Sequence, residues 1–508
     1  MGQSAQPVRL HPGDNVAVAV KAVSGGDKTG PFGVVAQGTI PAGHKMAIQP
    51  VKPGDPILKY GQTIGFASTA IRPGDHVHTH NVTVKDFARA YAFGEDATAP
   101  DVITSPNRAG FTGFMRQNGR VGTRNYIGVL PTVSCSVSVA KWIAEAFPQK
   151  AIQRFGNVDG VVALGHGAGC CAGPENEGFL LLQRVLAGYA RHPNFYGILL
   201  VGLGCEGNHV DGLLKNTGLE PGPHLETLTI QSAGGSGKTV DRGISVVKRM
   251  LETADQVQRR DVSADHLVVG LECGGSDAYS GITANPALGA AVDLVVAHGG
   301  TAILSETPEI FGAEQLLTRR VRNREVGERL LERIEWWKSH TARFGGSIDN
   351  NPTPGNKAGG LTTILEKSLG AVAKGGTTPL MEVYEYGERV SDHGLVFMDT
   401  PGYDPVSVTG MIAGGANVVC FTTGRGTVCG FKPVPTLKLA SNTPMYEALK
   451  EDMDMNCGEI LDGSATIQEK GEDIFQRVLD TASGRPTRSE IHGFGDNEFV
   501  PWQFSPVM

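Results

Sequence analysis

The sequence predicts an α/β protein in three parts: a small all-β module, then two α/β domains built on mainly parallel sheets. Three observations carry this. Turn signals recur at short intervals near the N-terminus, HPGD (11–14), PAGH (41–44), KPGD (52–55) and RPGD (72–75), and they cut runs too short for a helical period. Beyond Phe111 the texture changes to apolar strand, Gly-rich turn and amphipathic helix, the alternation of parallel sheets covered by helices. Four strand-like runs also end in a cysteine among small residues: YIGVLPTVSC at Cys135, VVALGHGAGC at Cys170, ILLVGLGC at Cys205 and HLVVGLEC at Cys273.

In order along the chain, residues 1–92 form the β-module and 93–110, rich in Ala, Asp and Pro, a linker. Residues 111–255 form the first α/β domain. SVSVAKWIAEAF (136–147) keeps apolar spacing of three to four residues behind Ser136, a candidate N-cap. Residues 262–505 form the second α/β domain. Leu and Ile at helical spacing predict one long helix over 313–340, and LVFMDTPGYD (395–404) and NVVCFTTGRGT (417–427) predict further strand ends. The stretch after Gly484 reads as an exposed, partly irregular tail.

A chain of 508 residues exceeds one ordinary core. Its 69 glycines, near twice the usual share of about 7%, imply many tight turns. A net charge of −7 without a basic stretch argues against nucleic-acid binding. No apolar run approaches the roughly 18 residues of a membrane span, and MGQSAQPVRLHPGDN contains no secretory signal, so a cytoplasmic protein is expected. Eight cysteines in such a chain leave structural disulfides an unattractive reading and point to metal ligation, catalysis or burial.

Open α/β sheets bind ligands at the carboxyl ends of their strands. Thiols reaching such an edge suit a soft metal, an iron–sulfur cluster or a mononuclear ion, and simple pocket lining is the alternative. Each has polar company: His166 before Cys170, Glu206 after Cys205, Ser276 and Asp277 after Cys273. Cys171, Cys420, Cys429 and Cys457 read as buried small hydrophobes. In HVHTHN (76–81), a strand would aim His76, His78 and His80 to one side, and its rise of about 3.3 Å per residue lets one ion take two adjacent members. A solvated strand face is the competing reading. SAGGSGKT (232–239) sits in a strand-to-helix context but departs from the phosphate-loop pattern at Ser232. NPTPGNKAGG (351–360) presents Asn351, Asn356 and Lys357 on a rigid turn, and TTGRGT (422–427) presents Arg425 as a carboxylate clamp.

Together GRVGTRN (119–125), HGAGC (166–170), GLGCE (202–206), ECGGSDAYSGITANP (272–286), SETPEIFGAEQLL (305–317), NPTPGNKAGG and TTGRGT resemble the altronate and galactarate dehydratase family of sugar-acid hydro-lyases. The first ninety residues, with DNVAVAV, GHK, KYG and HVHTHN, are similar to its SAF (β-clip) domain. The resemblance implies loss of water from a sugar acid, giving a 2-keto-3-deoxy acid, with Fe²⁺, or Mn²⁺ or another divalent ion, as cofactor. The histidine segment points to the altronate branch, though it also occurs in the small subunit of related sulfolactate sulfo-lyases. A β-eliminating sulfo-lyase is therefore the runner-up, and a sugar-acid sensor a distant third. On this reading His166 is the acid/base candidate, with Lys357, Asp277 and Glu206 as further catalytic candidates. Arg425, Ser276, Asn356, Arg124, Asn125 and His80 are substrate-binding candidates. His76, His78, Cys135, Cys170, Cys205 and Cys273 are metal-ligand candidates. A homo-oligomer, a dimer, is the expected assembly.

Overall fold

The computed structural model describes residues 7–503 apart from residues 86, 88 and 171–175; Cys171 therefore lies outside the described residues. The N-terminal module is all β, as predicted. Val16–Val18, Lys45–Ala47 and His76–Val77 form one antiparallel sheet, and Pro56–Lys59, Gln62–Ala67 and Val82–Thr83 another. Gly43, Gly54 and Gly74 of the predicted turns take φ of 81°, 88° and 90°, which favours glycine and ends each strand early.

Two parallel sheets follow. The first has the order Gly160–Ala163, Tyr126–Pro131, Phe195–Gly202, Leu225–Thr229. The second has seven strands: Leu380–Tyr384, Gly394–Met398, Thr301–Leu304, Val268–Cys273, Val418–Thr423, Thr436–Ala440 and Met455–Asn456. Central strands such as Tyr126–Pro131 and Val418–Thr423 are buried throughout, which explains their continuous apolar composition. In each sheet the first strand in sequence lies inside, with later strands on both sides. The chain direction across the sheet thus reverses at Tyr126–Pro131 and at Val268–Cys273, the topology that opens a crevice at carboxyl ends. Helices Glu177–Ala190 and Asp404–Gly414 join the two domains. Gly188 makes that contact possible, since a Cβ there would lie 2.4 Å from the Ala413 carbonyl oxygen.

Three expectations are corrected. The long helix over 313–340 is two, Glu314–Thr318 and Arg324–Arg343. Between them Val321 bridges to Leu380, and Asn323 caps the second helix by accepting from the Val326 amide at 3.0 Å, so the sheet edge interrupts the helix. Ser136 precedes helix Val137–Glu145 without capping it through its side chain. Its hydroxyl donates to the Val133 and Val201 carbonyls instead. The tail is not an exposed appendage: Phe499 packs on Tyr189, and Trp502 stacks on Trp337 with ring centroids 5.3 Å apart. Among the described residues, no helix is long and apolar enough to cross a membrane.

Candidate functional site

HVHTHN does not continue as a strand. After His76 the Asn81 side chain accepts from the His78 amide at 2.9 Å and donates to the His76 carbonyl at 2.9 Å, folding the segment into a turn. The rings gather as a result: His76 and His78 stack with centroids 5.4 Å apart, and His80 lies 5.4 Å from His76. The residue just before the neighbouring strand adds a ring, His44, which the sequence reading missed, with Nδ1 3.0 Å from His76 Nε2. One ring nitrogen each of His44, His76 and His78 falls within 4.8 Å of the others. The expected limit of two adjacent histidines is thus replaced by a triad, because the turn and the antiparallel partner remove the straight-strand spacing. Burial lowers the pKa of all three, with the neighbouring charges of Lys45 and His44 adding to it for His76 and His78. His76 falls to about 4 and His78 to about 3, which keeps them as neutral, ligating imidazoles. His78 Nδ1 is buried without a hydrogen-bond partner among the described residues, which fits a ligand waiting for a cation. His80 is exposed at the edge of the group.

Behind the triad Lys45 and Lys59 both reach the Glu366 carboxylate at 2.8 Å, and all three side chains are fully buried. Burial opposes the charge on each. The two ammonium groups nevertheless hold the Glu366 carboxyl well below its ordinary range, while Lys45 is brought down to about 8. Lys45 also donates to the Gly360 carbonyl at 2.7 Å, tying the β-module to the C-terminal domain.

That carbonyl belongs to the turn predicted around Lys357. Thr353 and Asn356 form a capping box that opens helix Pro354–Ala358, and Asn356 donates to the Ser276 carbonyl at 2.8 Å. His44 Nε2 lies 3.3 Å from the Ala358 carbonyl oxygen. A Cβ on Gly360 (φ 99°) would sit 2.5 Å from the Gly43 carbonyl oxygen, so only glycine permits the approach. Lys357, half-buried, directly precedes Ala358 in this turn. Arg425 is exposed on the next strand end, its backbone amide donating to the Gly275 carbonyl at 2.9 Å. Asp277 is buried between them. It accepts from Ser280, Ser441 and Asn442, bonds that oppose the upward pull of burial on its carboxyl and commit it to positioning these loops.

A second donor group lies at the end of strand Val268–Cys273. Cys273 Sγ is 3.5 Å from carboxylate oxygens of both Glu306 and Glu309, and Glu272, Glu306 and Asp404 form an overlapping triad within 4.8 Å. Lys374 meets Glu306 at 3.0 Å, and Lys367 pairs with Glu309. One oxygen each of Glu272 and Glu306 is buried without a partner among the described residues, and Glu306 holds φ 66°. Burial, Glu306 and Asp404 push the Glu272 carboxyl well up, while burial and Glu306 bring Asp404 to about 7. Carboxylates sharing so little positive charge can hold a hard cation. Glu272, Glu306, Glu309 and Asp404 escaped the sequence reading, although SETPE directly after a strand was the available signal.

The remaining candidates divide. Cys135, Cys170 and Cys205 stand exposed at one edge of the four-stranded sheet, whereas Cys273 is buried in the other sheet. The four thiols do not share an edge. His166 lies among the exposed three, but its Nε2 is 2.9 Å from the Pro131 carbonyl oxygen and its Nδ1 accepts from the Ala168 amide at 3.3 Å, so both nitrogens are engaged. Glu206 accepts from Thr132 and from the Leu203 and Gly204 amides. Burial opposes ionisation, yet these bonds hold its carboxyl below the ordinary value. Arg124 and Asn125 precede strand Tyr126–Pro131 and so lie at the opposite end from Cys135. Arg124 is spent on Glu490, and Asn125 on the Asn157 and Ala254 carbonyls.

Comparison with known proteins matches each part of this architecture. Residues 5–85 match the altronate/galactarate dehydratase SAF domain, 113–255 the second domain of D-galactarate dehydratase/altronate hydrolase, and 264–507 the C-terminal domain of D-galactarate/altronate dehydratase. The chain is 35% identical to altronate dehydratase of Bacillus subtilis (strain 168), over 96% of its own length and 97% of the relative's. It is 36% identical to galactarate dehydratase (L-threo-forming) of Escherichia coli (strain K12), over 98% and 97%. The (2R)-sulfolactate sulfo-lyase subunit beta of Chromohalobacter salexigens is 32% identical over 77% of this chain and 96% of its own. With three consecutive domains matched and nearly its whole length aligned, the chain belongs to the altronate/galactarate dehydratase family.

Proposed function

We propose that this chain is a metal-dependent hydro-lyase that removes water from an aldonate or aldarate and gives a 2-keto-3-deoxy acid. One observation carries the reading: His44, His76 and His78 of the β-module converge against the 353–360 turn of the C-terminal domain, the turn in which Lys357 stands. Three neutral imidazoles suit iron(II), manganese or zinc, with iron(II) the first choice, and such an ion supplies Lewis acidity toward the substrate carboxylate and α-hydroxyl. Arg425 offers a cation to the carboxylates, and Asn356 and Asp277 hold the loops that carry Arg425 and Lys357. On this reading Lys357, in its neutral form, takes the α-proton. The ammonium so formed returns that proton to the departing β-hydroxyl, which leaves as water, and the enol left behind tautomerises to the keto acid. His166, with both nitrogens bonded, serves on this reading to hold the loop before Cys170.

The test is anaerobic purification with ferrous iron and reductant, then a panel of aldonates and aldarates read as 2-keto-acid formation. Turnover that falls by about 10²-fold or more in Lys357→Met at unchanged metal content is the expected result. No keto acid from any member of the panel overturns the proposal, and sulfite released from sulfolactate replaces it with the sulfo-lyase reading.

A further inference from the structure

We infer that Cys135, Cys170 and Cys205 form a three-thiolate mouth that holds a [4Fe–4S] cluster, with the fourth iron open to an oxygen ligand such as water or the hydroxyl of a hydroxy acid. The site is on a different sheet from the histidine triad and the acidic cluster, so it stands or falls independently of them.

The three thiols follow three neighbouring strands, Gly160–Ala163, Tyr126–Pro131 and Phe195–Gly202, at the point where the strand order reverses. That is the position where an open parallel sheet presents a ligand crevice. Their loops are cross-linked rather than loose. The Ser134 amide donates to the Ala168 carbonyl, the Gly207 amide to the Cys170 carbonyl and the Asn208 amide to the Gly169 carbonyl, each at 3.0 Å. Asn208 Nδ2 donates to the Thr132 carbonyl at 2.9 Å, and the Thr132 hydroxyl to Glu206 at 2.9 Å. Gly169, with φ 101°, allows the closest of these approaches: a Cβ there would lie 2.4 Å from the Thr132 carbonyl oxygen. The described parts of these loops are therefore held together by their own hydrogen bonds.

Exposure separates these cysteines from the other described ones, of which Cys429 is partly covered. Cys273, Cys420 and Cys457 are buried, the ordinary condition of a cysteine that only fills space, while Cys135, Cys170 and Cys205 all face solvent. Their separation argues against a single ion. A tetrahedral ion with metal–sulfur bonds of about 2.3 Å needs its sulfurs within roughly 4 Å of one another. Among the described residues these three form no group within 4.8 Å. A cubane of four irons and four sulfides spaces its thiolates more widely and takes cysteine as its usual ligand. Three thiolates leave one corner without a protein ligand, and an open iron of this kind is a Lewis acid for hydroxyl or carboxylate oxygen.

The experiment is anaerobic reconstitution of the full chain with ferric iron, sulfide and dithiothreitol as reductant, followed by iron and acid-labile sulfide analysis and absorption and Mössbauer spectra. Wild type should carry about four irons and four sulfides per chain at this site. Cys135→Ser, Cys170→Ser and Cys205→Ser should each lose most of the labile sulfide with an unchanged circular dichroism spectrum. Cys429→Ser and His76→Ala should keep it. A folded wild type without labile sulfide overturns the inference, as does full sulfide in the Cys135→Ser/Cys205→Ser double variant. Iron bound without sulfide and lost in the cysteine variants overturns it too, in favour of a single ion.

Discussion

Glu366 shows how one side chain can join two domains. Its carboxylate takes Lys45, Lys59, and the Thr362 amide and hydroxyl, out of contact with water. Removing one partner of such a buried set leaves an uncompensated charge, so Glu366→Gln should lower unfolding stability by about 3–5 kcal/mol in urea denaturation. A loss under about 1 kcal/mol would show that the lysines find other partners. His44 makes the complementary case for binding. His44→Ala should weaken iron(II) or zinc binding by at least about tenfold in titration calorimetry, with a much smaller effect on the unfolding midpoint. Neither residue stood out in the sequence. GHK and a lone helix glutamate carry no local mark of their partners, which lie some three hundred residues away for Lys45 and Glu366.

At the scale of elements, the turn made by Asn81 matters more than the histidines' own spacing. Alternation in HVHTHN was readable, but it predicted a strand and therefore rings too far apart for a triad. Two Asn81 side-chain bonds convert it to a turn. Asn81→Ala should cost about 1–3 kcal/mol for the two bonds and also reduce metal affinity, although Asn81 offers no ligand atom to the triad. Unchanged affinity in that variant would show that the rings gather without it. The interrupted helix at 319–323 teaches the same lesson. Helical periodicity was correct on both sides of the break, and only the sheet edge at Leu380 decided that Val321 would leave the helix.

For the whole molecule, the Arg124–Glu490 pair links the first parallel sheet to the C-terminal segment, with Arg124 also donating to the Thr481 carbonyl at 2.8 Å. Burial alone would raise the Glu490 carboxyl, but the Arg124 guanidinium overrides it and holds the pKa below the ordinary 4.5. A depressed carboxyl contributes stability that is present above about pH 4.5 and lost as pH falls through the folded value. Urea midpoints of wild type and Glu490→Gln should therefore differ most near neutrality, and the gap should shrink between about pH 5 and about pH 3. A gap independent of pH would contradict this account.

The sequence by itself determined the fold class, the order of its parts and the family, because turn glycines, strand runs and helix periodicity are local signals and long motifs are specific. It also marked Lys357, Arg425 and the strand-end cysteines as candidates. Only the tertiary structure decided which of these meet. It sent Cys273 to the acidic cluster, left the other three cysteines exposed after neighbouring strands of the first sheet, drew His44 into the triad and placed Arg124 at the opposite edge. The physical reason is that ligand sets form from side chains on different elements, and their separation depends on strand order, register and domain contact, none of which is written in any short stretch of chain.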